Sequence, residues 1–423
     1  MKHFFLSRRF LPIFVTQFLG AFSDNAFKTA IAILITYAIA RDSDNAAILV
    51  TISSGLFILP FFLFSALAGQ LADKYDKAKL TRLYKLIELF IMAAGVVALF
   101  TAHTWFLLIL LFAMGTQSTF FGPIKYSILP QQLHPQELMQ GNAYIEGSTF
   151  VAALIGTVTG GATILLNNGE VIVGSILTAS ALIGYLASRF ILTAPGGSPD
   201  LVINRNIPAE SCHILKLVLI NKTLRLYLLL ISWFWLVGSI FLAQTVLFTK
   251  EVLYADETVV TLCLTIFSTA IAVGSIFCTR ISKGNASLKY VPVAAMGMAV
   301  SIIALVIYSN LVSVEPEELY NIVAFLKTPS HWVILLTLFF IAFFGGIYTV
   351  PLYTLMQREA DKSQLSRTIA VNNIINSFFM VSAVVIVIAI YETGGTVSHV
   401  FSIVAAITAG IGIFIGFRNK KHG

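Results

Sequence analysis

The chain has 423 residues, of which 57% are hydrophobic and only 11% charged, with a formal net charge of +7. A soluble domain of that length carries about 25% charged residues, so the composition excludes an ordinary soluble protein. The apolar segments are runs near 20 residues, the length of a bilayer-crossing helix, and not the alternating strands of about ten residues that build a barrel.

The first apolar run, 10–38, is too long and too polar at its centre for a cleaved signal peptide, and reads as a retained span. Within it, "QFLGAFSDNAFK" places Gln17, Asp24 and Lys28 on one narrow helical face. Asp24 and Lys28 are spaced i,i+4 with the acid first, the favourable direction for an ion pair. A charge at a helix centre costs about 2.5–3.5 kcal/mol, so this face is expected to look into a cavity and form a substrate site. The plainer reading is a structural salt bridge. Asn25 lies about 100° round the helix from Asp24 and suits a helix contact or the edge of the same site.

Further runs fall at 46–71, 80–101, 105–128, 143–165 and 170–192. Between the second and third, "GQLADKYDKAKL" resembles the major facilitator signature G-x-x-x-D-[RK]-x-G-[RK]. Gly69, Asp73, Lys74 and Lys77 match, and Asp76 stands where the second glycine is usual. Gly69 allows close helix approach, and Asp73 can meet a neighbouring helix N-terminus or a basic residue in one conformation only, so these four residues are read as a gate. Three more charges lie inside spans. Glu88 has Lys85 three residues before it and can pair locally, while Lys125 and Glu146 sit at similar depth in spans four and five, where a bridge is expected. Each is a candidate for substrate contact.

The stretch "TAPGGSPDLVINRNIPAESC", 193–212, breaks the pattern with Pro and Gly. It opens a linker, 193–222, in which "CHILKLVLINKTLRLY" can begin as an interfacial helix. Six more runs follow at 224–248, 257–281, 288–311, 331–356, 367–390 and 397–417. They carry amides in place of charges: Gln244, and Asn372, Asn373 and Asn376 in "AVNNIINSFF". Packing between helices is the first reading for these, substrate contact the second.

Basic residues concentrate on one side, at Lys2, Arg8 and Arg9, at Lys74, Lys77 and Lys79, through the linker, and at Arg418, Lys420 and Lys421. The opposite loops are acidic, with Asp42, Asp44, Glu170, Glu251, Asp256, Glu257, Glu315, Glu317, Glu318 and Glu392 against Arg41, Lys250 and Lys327. By the positive-inside rule both termini are cytoplasmic, and the basic surplus is topological, not a sign of nucleic-acid binding. The three cysteines, Cys212, Cys263 and Cys278, form no ligand spacing, so neither metal nor cofactor is expected.

Six spans, a linker and six spans are the pattern of a major facilitator transporter: an all-α integral membrane fold of 12 helices, with bundles at 1–192 and 223–423. The stretches "QFLGAFSDNAFK", "GPIKYSILPQQL", "GNAYIEGSTFVAALIGTVTGG", "SWFWLVGSIFLAQ", "GGIYTVPLYTLMQRE" and "IAVNN" resemble the bacterial lysophospholipid transporter family, and the transporter part of fused acyltransferase/acyl-carrier-protein synthetase proteins. The resemblance implies flippase-type movement of lysophosphatidylethanolamine or lysophosphatidylglycerol from the outer to the inner leaflet of a bacterial inner membrane. The carrier would be a monomer and not an enzyme, with a separate acyltransferase to reacylate its product. One departure stands out. Enterobacterial members carry an arginine in span seven, where this chain has Leu242, so Lys28 and Lys125 would have to hold the phosphate. The alternative is a proton-coupled transporter of a soluble solute, such as a drug, siderophore or small organic acid, because the same fold serves both.

Overall fold

A computed structural model describes residues 2–36, 46–312 and 318–422. Arg41, Asp42, Asp44, Glu315 and Glu317 of the expected acidic loops lie outside the described residues. Each expected span is one helix: α1 (Leu11–Leu34), α2 (Ala46–Lys74), α3 (Lys77–Thr101), α4 (Thr104–Ser127), α5 (Leu138–Ile164), α6 (Gly169–Ser188), α7 (Lys222–Glu251), α8 (Glu257–Ile281), α9 (Val291–Val312), α10 (Pro329–Glu359), α11 (Leu365–Glu392) and α12 (Val397–His422). The linker contains a helix, Ile207–Ile220, which is capped by the Asn206 side chain and begins five residues before the expected start at Cys212. Among the described residues the only strand-like pairing is an isolated bridge between Ala255 and Tyr320.

Eleven of these helices are long and apolar enough to cross a membrane. The remaining one, α1, has the length, but Gln17, Asp24, Asn25 and Lys28 dilute its apolar character. Pro60, Pro123 and Pro351 sit inside helices, which lipid-embedded helices tolerate when neighbours satisfy the freed backbone groups. The polarity is that of a chain solvated by hydrocarbon. Phe90, Phe100 and Trp105 stand exposed, whereas Lys85 and Glu88 are fully buried.

The chain divides into two compact units. The first comprises residues 1–141, 151–225 and 357–377, so it includes the start of α11. Its apolar core joins Phe27 and Ile31 of α1 to Met92 of α3, Leu111 and Met114 of α4 and Leu177 of α6. Helices α1 and α5 touch backbone to backbone. A Cβ on Gly156 would lie 2.4 Å from Phe22 O, and one on Gly160 would lie 2.2 Å from Ala26 O. Only glycine permits that approach, the device by which membrane helices gain packing without a hydrophobic drive. The segment before α1 is tied down by Arg9, whose Nη1 is 2.9 Å from Glu137 Oε2. Burial pushes the Glu137 carboxyl up, but the His134 N–H and Arg9 outweigh it and hold it below the usual carboxylate range.

The second unit comprises residues 142–150, 226–356 and 378–423. Aromatic rings fill it: Phe241 of α7 stacks on Phe401 of α12 with centroids 4.5 Å apart, and Trp233 Nε1 donates to Thr408 Oγ1 at 3.1 Å. Helix α9 packs along α12.

Candidate functional site

Polar side chains gather in two places in the first unit. The first is the middle of α1. Asp24, Asn25 and Lys28 are half-buried there and Gln17 is buried. The expected direct pair between Asp24 and Lys28 does not form. Ion pairs within 4 Å do join Arg9 to Glu137, Lys85 to Glu88 and Arg367 to Asp73. The reason is a better partner on another helix. Ser118 of α4 donates its hydroxyl to Asp24, with Oγ 2.8 Å from both carboxylate oxygens. Lys28 Nζ lies 3.4 Å from Asn25 Oδ1 and 5.6 Å from the centroid of the Phe57 ring. Asn25 in turn donates to Ala21 O at 2.8 Å. Asp24 and Lys28 are therefore held separately, the acid by a hydroxyl and the base by an amide oxygen and a ring face.

Beneath them, Lys85 and Glu88 do pair, as their i,i+3 spacing predicts: Nζ is 2.6 Å from Oε2, and both side chains are shut off from solvent. Gln117 Nε2 donates to the same Oε2 at 3.1 Å and to Tyr84 O at 3.2 Å. The Lys85 ammonium fits because Gly20 has no side chain; a Cβ there would lie 2.6 Å from Nζ. Sequence reasoning passed over Ser118 and Gln117, since neither is charged and both come from α4.

The other candidates are more scattered. Lys125 lines a small cleft with Ile13, Thr16 and Phe121, its ammonium 5.2 Å from the Tyr126 ring. Lys125 belongs to the first unit and Glu146, which is buried, to the second. Asn373 faces Gly122, where a Cβ would come within 2.8 Å of Nδ2. In the second unit, the Tyr391 hydroxyl donates to Gln244 Oε1, which joins α7 to α11. Leu242, at the place of the missing arginine, is exposed on α7.

The second gathering is where α2 ends. Asp73 is fully buried and caps the N-terminus of α11: Oδ1 accepts from Ser366 N at 2.8 Å, and Oδ2 from Arg367 N at 3.1 Å and Arg367 Nε at 3.0 Å. A carboxylate there satisfies two orphan N–H groups and meets the positive end of the helix dipole. Gly69, one turn earlier, makes room: a Cβ would lie 2.9 Å from Arg367 Cα and 2.8 Å from Ala370 Cβ.

The linker crosses this place as a strap. Ser198 N donates to Asp73 O at 2.8 Å, and Ser198 Oγ to Ser363 O at 2.7 Å. Lys74 Nζ donates to Leu201 O at 2.8 Å, and Lys77 N to Ala194 O at 2.8 Å. Asp76 explains its own departure from the signature. Its side chain accepts Lys79 N at 2.9 Å, capping α3, and Ala194 N at 3.0 Å, pinning the strap. A glycine does neither.

The model of the Major Facilitator Superfamily matches residues 13–381. The chain belongs to that superfamily. It is 26% identical over 379 residues to a protein named Lysophospholipid transporter LplT from Photorhabdus laumondii, covering 87% of this chain and 85% of that one. It is also 26% identical over 376 residues to a protein of the same name from Salmonella gallinarum, covering 87% and 84%. Among solved structures, the human organic anion transporter MFSD10 superposes with a TM-score of 0.77 at 11% identity, over 96% of this chain and 98% of that one. The transporter FucP in the outward conformation gives 0.70 at 14% identity, over 97% and 99%. These last likenesses establish the fold alone. The chain is a multi-pass membrane transporter of this superfamily.

Proposed function

We propose that this transporter moves lysophospholipids, lysophosphatidylethanolamine and lysophosphatidylglycerol, from the outer to the inner leaflet of a bacterial inner membrane by alternating access. The observation that carries the reading is the separation of Asp24 from Lys28. An acid and a base one turn apart, half-buried and not in direct contact, match the ammonium and phosphate of a zwitterionic headgroup. Each membrane charge then gains a partner when substrate arrives, and an unpaired buried charge is costly. Likeness to proteins named lysophospholipid transporters over most of the chain supports the same reading.

In this reading Lys28, with Lys125, takes the phosphate, and Asp24 takes the amine, with Gln17 and Asn25 beside them. Glu88, Gln244 and Asn373 hold helices together, since the first two already serve neighbouring side chains and the third is lodged against Gly122. Glu146 supports α5. Both termini face the cytoplasm, so the Asp73–Arg367 latch closes the cytoplasmic end while Gly69, Lys74 and Lys77 seat it. The moving bodies are the sequence halves 1–192 and 223–423, joined by 193–222. The carrier works as a monomer, and a separate acyltransferase consumes the lysolipid inside.

The test is purified protein in liposomes, with radiolabelled lysophosphatidylethanolamine added to the outer leaflet. Protein-dependent loss of the label from an albumin-extractable pool is expected. Accumulation of a polar solute driven by a proton gradient, with no lysolipid movement, would replace this reading with the soluble-solute one.

A further inference from the structure

Asp24 is held from α4 and not from its own helix. Ser118 Oγ is 2.8 Å from each Asp24 oxygen, but a hydroxyl carries one proton. The second acceptor within its reach is Gln117 Oε1, at 3.4 Å. Gln117 is not free to turn, because both of its N–H groups are taken, one by Glu88 Oε2 and one by Tyr84 O. Glu88 is fixed in turn by Lys85. The buried pair on α3 thus sets the Gln117 amide, the amide presents its carbonyl oxygen to Ser118, and Ser118 has two places to put its proton: on the Asp24 carboxylate or on Gln117.

We propose that Ser118, oriented by Gln117, is a positioning residue for Asp24 and a determinant of headgroup selectivity. The inference rests on the reading of Asp24 as the partner of a headgroup ammonium. In the empty carrier the hydroxyl proton satisfies the carboxylate and fixes its orientation. When an ammonium donates to Asp24, the hydroxyl rotates to Gln117 Oε1, and the carboxylate is released to the substrate while the half-buried hydroxyl keeps an acceptor. An anionic headgroup with no amine makes no such demand, so it does not use the rotation. The residue acts through Asp24 and touches no phosphate.

The experiment compares lysophosphatidylethanolamine with lysophosphatidylglycerol on the same reconstituted protein. Ser118→Ala is expected to lower KM for the ethanolamine lipid about tenfold, because the empty carrier loses a charge-assisted hydrogen bond that the loaded carrier has already given up, with kcat and the KM for the glycerol lipid within about twofold of wild type. Ser118→Thr keeps the hydroxyl and should restore the wild-type KM. Ser118→Cys, a weak donor of similar size, should fall between. If the alanine variant does not fold, the threonine and cysteine variants carry the comparison. Equal slowing of both lipids, or no change in either, overturns the positioning role while leaving the transport reading intact. Wild-type protein that moves neither lipid overturns both.

Discussion

Asp73 and Arg367 meet twice. The same carboxylate oxygen, Oδ2, accepts from the arginine side-chain Nε at 3.0 Å and from its backbone N–H at 3.1 Å, so one residue supplies both a charge and a helix-end donor. Asp73→Asn keeps one acceptor oxygen and turns an amide NH₂ toward donors. The loss is expected to be about 2 kcal/mol, or roughly 30-fold in the ratio of latched to unlatched molecules. Transport should slow while substrate binding holds. A cysteine in place of Ser366, buried here, should react faster with a thiol reagent in the Asp73→Asn background. Weakened binding with unchanged cysteine reactivity would remove the gating role.

Asp76→Gly would restore the usual signature residue and break two contacts at once, the cap on α3 and the hold on Ala194. Loss of a helix cap costs about 1 kcal/mol, which a helix buried in the bundle tolerates. The strap is more exposed to the change. Limited proteolysis within 193–204 is expected to speed up several-fold in Asp76→Gly and to be intermediate in Asp76→Asn, whose single acceptor oxygen can keep one of the two contacts. Equal resistance in all three proteins would show that the other strap contacts suffice.

The twelve helices were legible because a bilayer imposes run length, and every apolar run near 20 residues became one helix. The Lys85–Glu88 pair was legible for a local reason, since three residues along a helix bring two side chains together. The same logic failed for Asp24 and Lys28. Spacing shows that two side chains can meet, but not that a hydroxyl 94 residues away offers the acid a better partner. The strap was legible as a break in hydrophobicity and no further. Its bonds run largely to main-chain atoms such as Asp73 O and Lys77 N, which carry no signature in the side-chain sequence.

Gly160 and Gly161 give a paired test of helix contact. A Cβ at Gly160 would lie 2.2 Å from the main-chain oxygen of Ala26, which cannot move without moving α1. At Gly161 the nearest atoms are side-chain ends, Ile33 Cδ1 at 3.3 Å and Thr29 Cγ2 at 3.6 Å. Gly160→Ala is expected to cost about 2–3 kcal/mol and lower the unfolding midpoint in detergent, whereas Gly161→Ala should stay within about 0.5 kcal/mol. Similar midpoints for the two variants would mean that α1 and α5 are not held at this distance.

Lys85 and Glu88 separate a structural role from a substrate role in the same region. Their side chains are 0% and 1% exposed, so neither meets substrate in this conformation, whereas Asp24 is half-buried. Lys85→Met leaves the Glu88 carboxylate with the Gln117 amide alone, in a core where its other oxygen, Oε1, already has no hydrogen-bond partner. Removing one member of a buried pair costs about 3–5 kcal/mol, whereas replacing both with apolar residues of similar volume is close to neutral. Lys85→Met should therefore unfold at a clearly lower temperature, and Lys85→Met with Glu88→Leu should recover most of the loss. Asp24→Asn should behave in the opposite way: an unfolding midpoint near wild type, because the amide oxygen still accepts from Ser118, but transport strongly reduced. Thermal unfolding in detergent and lysolipid uptake in liposomes, measured on the same preparations, read the two effects apart. If the double variant is as unstable as Lys85→Met alone, charge compensation is not what the pair provides. If Asp24→Asn loses stability and activity together, Asp24 belongs to the framework and not to the substrate site.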